Sequence, residues 1–163
     1  MLRHIAVALV ASLLTVACAT IPAPRDGAEE FDHSAYLPAE LGDITASIEI
    51  DPRVNYWLDA SHPKYEAAVT YAGTIRPIDP SVKRLITMWA KAMQHPDSVP
   101  DLFNYEVQVT QAGQTYWMPI QDVLLKPWRE EMRGDAKAKV YLLLMGAYER
   151  VPVFTIASFS AQV

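Results

Sequence analysis

The chain reads as an α+β protein: a small, mainly antiparallel sheet, or a partly closed barrel, carrying two helices. Three observations predict this. Residues 103–109 alternate apolar and polar, turn at Gln111-Ala112-Gly113-Gln114, and return over Thr115–Ile120 as a hairpin. Val140–Met145 and Val153–Ala157 are nearly continuous apolar runs of strand length. Two further stretches place apolar residues at helical spacing behind start signals.

Taken in order, Asp43–Ile50 sets Ile44, Ala46, Ile48 and Ile50 against Thr45, Ser47 and Glu49, the pattern of a half-buried strand. Tyr65–Tyr71 alternates more weakly. Asp79 then suits a helix N-cap and Pro80 the first helical position. Val82, Leu85, Ile86, Trp89 and Met93 form one stripe, and His95-Pro96 ends it. After the hairpin, a second helix is expected from about Asp122 to Arg133, with Gly134 as its stop. Val123, Leu124, Trp128 and Met132 can face inward. Pro127 removes a helix hydrogen bond at a cost of about 3 kcal/mol, so the helix either begins near it or kinks there. The two final runs, separated by Gly146–Arg150, read as strands buried on both faces or as one side of a small barrel. The last part of the chain is thus strand, strand, helix, strand, strand. That order resembles the OB-fold, a small Greek-key barrel.

The amino-terminal end reads differently. Met1–His4 carries one arginine, and Ile5–Val16 is apolar except for Ser12 and Thr15. This run of about 12 residues is short of the roughly 20 that span a bilayer and suits the core of an export signal. Leu14-Thr15-Val16-Ala17-Cys18 resembles the lipobox of bacterial lipoproteins, with Thr15 where leucine is commonest. The resemblance covers the first eighteen residues. It implies cleavage before Cys18 and lipidation (palmitate or a similar acyl chain) of that residue, the chain's only cysteine. Ala19, rather than aspartate, after the cysteine implies sorting to the outer membrane, with the domain facing the periplasm. Ala17-Cys18-Ala19 also satisfies the A-x-A rule of ordinary secretory cleavage, which would discard Cys18 and leave a soluble periplasmic protein.

The expected organisation is therefore a signal peptide over 1–17, a lipid-anchored flexible spacer over 18–42 and one globular domain over 43–163. Ala19–Gly42 is rich in proline, small and charged residues. A coil of about 23 residues spans roughly 25–30 Å. In its second half Phe31, Tyr36, Leu37 and Leu41 offer an alternative, packing onto the domain. With no cysteine beyond Cys18 the body has no internal disulfide, and it is long enough to be stable without one.

Loss of the signal removes one of the 14 basic residues and none of the 19 acidic ones, leaving a formal charge of −6. No basic run suits a phosphate backbone or an anionic lipid surface, so nucleic acid is not an expected partner. His33, His62 and His95 lie far apart, with no metal-ligand spacing, and read as solvated loop residues. Asp32-His33-Ser34 cannot form a triad, which joins groups separated in the chain. No phosphate-cradling loop, nucleophile elbow or dinucleotide fingerprint is present, so no cofactor, metal or catalytic residue is expected. Glu130-Glu131, between Arg129 and Arg133, reads as a solvated helix face.

The aromatic pairs Tyr56-Trp57 and Tyr116-Trp117 are the candidate binding residues. Adjacent strand residues point to opposite faces, so each pair can bury one ring and offer the other to a sugar or a protein. The competing expectation is that all four rings are packing. Function is read accordingly: a non-enzymatic binding or structural module of the cell envelope with a protein or glycan partner. The alternatives are a carrier of a small apolar ligand and a hydrolase with a dispersed site.

Overall fold

The structure, a computed structural model, describes residues 31–162. The signal segment and Cys18 lie outside the described residues. Those described form β1 (Leu37–Pro38), α1 (Leu41–Ser47), β2 (Tyr56–Leu58), β3 (Lys64–Pro77), α2 (Pro80–Ala92), β4 (Tyr105–Gln111), β5 (Gln114–Ile120), α3 (Asp122–Glu131), β6 (Lys137–Tyr148) and β7 (Val151–Gln162). Five strands, in the order β3-β4-β5-β7-β6, close into a barrel through a second pairing of β6 with β3. All neighbours are antiparallel except β5 and β7. The α+β, OB-like reading is what the chain adopts, with α3 entered from the third barrel strand and leading to the fourth.

Closure depends on β3 serving two partners. Lys64–Thr70 pairs with β6, and after a register shift between Tyr71 and Ile75 the strand continues along β4 to Pro77. Gly73 lies in that shift at φ +80°, where a side chain would be strained. Thr70 pairs on both sides and Tyr71 with β4 before the shift, so the bulge lies within the β3–β4 ladder and resets its register ahead of Ile75. Two tight turns set the remaining register. Ala112-Gly113 and Glu149-Arg150 all have positive φ, as two-residue hairpin turns of matching twist require.

Those turns also fix the phase of the ladders. Pro119 faces Glu106 and Pro152 faces Ala147, both at non-hydrogen-bonded positions. Each proline therefore turns its donorless nitrogen toward the β5–β7 seam, where pairing is limited to Ile120 with Ile156.

The barrel interior is filled by side chains, among them Val107, Val109, Met118, Ile120, Leu142 and Ile156. Leu124, Leu125 and Trp128 of α3 and Leu41 and Ile44 of α1 pack into the same core. A second core joins Leu85, Ile86 and Trp89 of α2 to Met145 and Val153 outside the barrel. The Asp79 carboxylate accepts from the Ser81 N–H to cap α2, as its sequence predicts. Lys83 Nζ donates to the Pro100 and Phe103 carbonyls, pinning the following loop to the helix.

Three expectations are corrected. The strand expected over Asp43–Ile50 is replaced by helix α1 as far as Ser47 and by irregular chain over 48–50: Leu41 and Ile44, three apart, both enter the core, and the Leu41 N–H donates to Gln111 Oε1. Of the two readings open for 31–42, packing onto the body is the one seen, with β1 paired to β3 and Leu41 fully buried, while Leu37 remains exposed. Val123 faces solvent instead of the core. His62 and His95 flank Trp89 half-buried, with ring centroids 5.2 and 4.9 Å from it. Pro127 sits inside α3 without ending it. Among the described residues, no helix is long and apolar enough to cross a membrane.

Candidate functional site

The most chemically distinctive surface lies on the outside of the barrel, across β3, β4 and β5. Since Val107 and Val109 point inward, Glu106, Gln108 and Thr110 point out; opposite them stand Pro119, Trp117 and Thr115. The bulge at Gly73 brings the far half of β3 alongside, setting Arg76 beside Glu106. One patch thus collects an arginine, a carboxylate, an amide, two hydroxyls and an indole.

Three of these groups interlock. Arg76 Nε donates to Glu106 Oε2 at 2.8 Å, and its guanidinium carbon lies 3.8 Å from the Trp117 ring centroid. The Glu106 side chain is 1% exposed and that of Arg76 41% exposed. Burial pushes the Glu106 carboxyl above the usual carboxylate range, while the Arg76 guanidinium pulls it back. The guanidinium is therefore fixed from two sides, by a stacked ring and a buried carboxylate.

The other candidate rings lie elsewhere. Tyr116 turns inward against the core and donates its hydroxyl to Gln114 Oε1. Tyr56 and Trp57 are on β2, which pairs with β6, so β7 and β6 separate them from β5. Tyr56 packs against the α2 core and Tyr148, with Arg84 above its ring; Trp57 packs against the barrel core. Neither pair splits cleanly into one buried and one exposed ring: all four are half-buried. Only Trp117 belongs to the polar outer patch.

A second aromatic group clasps the outer face of β6. Phe31, His33 and Tyr36 surround Tyr141, with centroids 5.5, 4.1 and 5.3 Å from it. Asp32 accepts from the Ser34 N–H and shapes the turn. Burial pushes the Tyr36 phenol up to about 12. Beside it Lys139 and Glu66 pair at 2.7 Å.

Among the described residues no group of three or more His, Cys, Asp or Glu side chains is placed to hold a metal ion. Arg76, Glu106 and Gln108 are the site residues that sequence reasoning did not single out. The β3 alternation was traced only to Tyr71, and Arg76 meets Glu106 across 30 positions of chain. The outward parity of Glu106 and Gln108 was the available signal. No protein-family model matches the chain, and comparison with curated proteins finds no similar one.

Proposed function

We propose that this chain is an exported cell-envelope lipoprotein, anchored through Cys18 at the outer membrane, whose OB-like barrel is a non-enzymatic binding module in the periplasm. The observation that carries the binding role is the interlocked Arg76–Glu106–Trp117 surface on β3, β4 and β5. In OB-folds the outer face of the second and third barrel strands takes oligosaccharides and oligonucleotides. Here those strands are β4 and β5. The argument is one of architecture, and the chemistry of the face narrows it. Arg76 is the one cation among the outward residues of this patch, and the processed chain would carry a formal charge of −6, so a phosphate backbone finds little attraction. A glycan or protein partner fits better. The side-chain-filled interior favours an outside ligand over a carried one.

The anchor rests on Leu14–Cys18 and its likeness to a lipobox. Mass spectrometry of the mature amino terminus tests it: a lipidated Cys18 is expected, and a chain beginning at Thr20 overturns it. The binding face is tested by a photo-crosslinking residue in place of the exposed Thr115, which lies on the same face and leaves Arg76, Glu106 and Trp117 intact, in intact cells, with position 88 on α2 as control. Specific adducts are expected from 115; equal capture from both positions, or none, sinks this assignment.

A further inference from the structure

We infer that the ligand of this face is an acidic glycan, its carboxylate held by the terminal guanidinium nitrogens of Arg76 and a sugar ring laid beside them on Trp117. The inference rests on the binding role proposed above and names the ligand class.

Arg76 uses Nε for Glu106, and among the described residues its two terminal nitrogens donate to no protein acceptor. Those nitrogens present paired donors at the spacing of a carboxylate. They are also held still. The Trp117 ring centroid lies 3.8 Å from the guanidinium carbon, and the buried Glu106 accepts from Nε at 2.8 Å. A guanidinium restrained in this way loses little freedom on taking a second anion. The side chain is 41% exposed, so an anion can reach it.

The neighbours suit a sugar. Gln108 faces Trp117 directly, with Thr110 and Thr115 as the next cross-strand pair. Amides and hydroxyls both donate and accept, as sugar hydroxyls do. Trp117 is half-buried, and a pyranose beside the guanidinium can set its apolar face against the indole. A peptide ligand would look for an unpaired strand edge or side-chain pockets. At the centre of this surface β4 is paired on both sides, and although β5 meets β7 only at Ile120 and Ile156, Pro119 interrupts the donors of that edge.

The test is titration of the domain with short cell-wall glycan fragments and with a neutral oligosaccharide carrying a single uronate, each with the carboxylate free or methyl-esterified, followed by tryptophan fluorescence and calorimetry. The free acids are expected to bind at least tenfold more tightly than their esters. Arg76→Gln combined with Glu106→Gln, which leaves no buried unpaired charge, should bring acid and ester to parity. Trp117→Ala should weaken both. Equal binding of acid and ester, a preference that survives the double substitution, or binding of neither overturns the inference. If neither binds while position 115 still crosslinks an envelope protein in cells, the binding role stands and the glycan assignment falls. If position 115 also captures nothing, both fall.

Discussion

Glu106 keeps an ionisable group almost wholly out of water, and its balance is testable. Because burial raises its carboxyl, the folded chain holds that proton more tightly than the unfolded chain does. Its contribution is most favourable below the usual glutamate range and is lost as pH rises through its raised folded value. Urea unfolding across that range should therefore show a destabilising limb toward neutral pH. Glu106→Gln should flatten it; an unchanged limb would contradict the assignment. Arg76→Gln alone strands a buried carboxylate and should cost about 2–3 kcal/mol. The double substitution should recover most of that loss, measured as a double-mutant cycle. Trp117 was legible from composition, as half of an adjacent aromatic pair. Its partnership with Arg76 was not, because it arises only when three strands come together.

Gly146 shows how closely elements meet. A Cβ there would lie 2.0 Å from the Trp57 carbonyl oxygen, and φ is +150°. Gly146→Ala should cost about 3 kcal/mol and release β2, seen as fast amide exchange at residues 56–58. Gly73→Ala is the contrast: its Cβ has ordinary room, 3.6 Å from Gly134, so only backbone strain of about 1–2 kcal/mol is expected. In α3, Pro127 denies the helix one hydrogen bond, and Pro127→Ala should raise stability by about 2 kcal/mol in the same unfolding assay. The longer elements were legible because their periods run for several turns or repeats. Helix α1 was not. Over eight residues, Ile44, Ala46, Ile48 and Ile50 satisfy a period of two, and the burial of Leu41, outside that window, decides for a helix.

Across the whole molecule, the strand-strand-helix-strand-strand order of the last part was readable. The barrel was not complete without β3, whose role depends on a bulge that resembles a break in sequence. Packing of the 31–42 stretch was also undecided from composition. Its aromatic residues are separated by polar ones, and their common target, Tyr141, is about a hundred positions away. A chain beginning at Leu37 should keep the barrel fold but lose about 2 kcal/mol as the rings leave Tyr141. Thermal unfolding of the two lengths checks this; equal midpoints would show that the clasp contributes nothing.

That clasp also determines how tension enters the domain. A pull arriving from residue 30 meets Phe31, His33 and Tyr36 on Tyr141, then the two paired positions of β1, before it reaches the barrel wall. Were the chain anchored through Cys18 as proposed, this short attachment would peel before the five-stranded barrel under load and add several residues of reach.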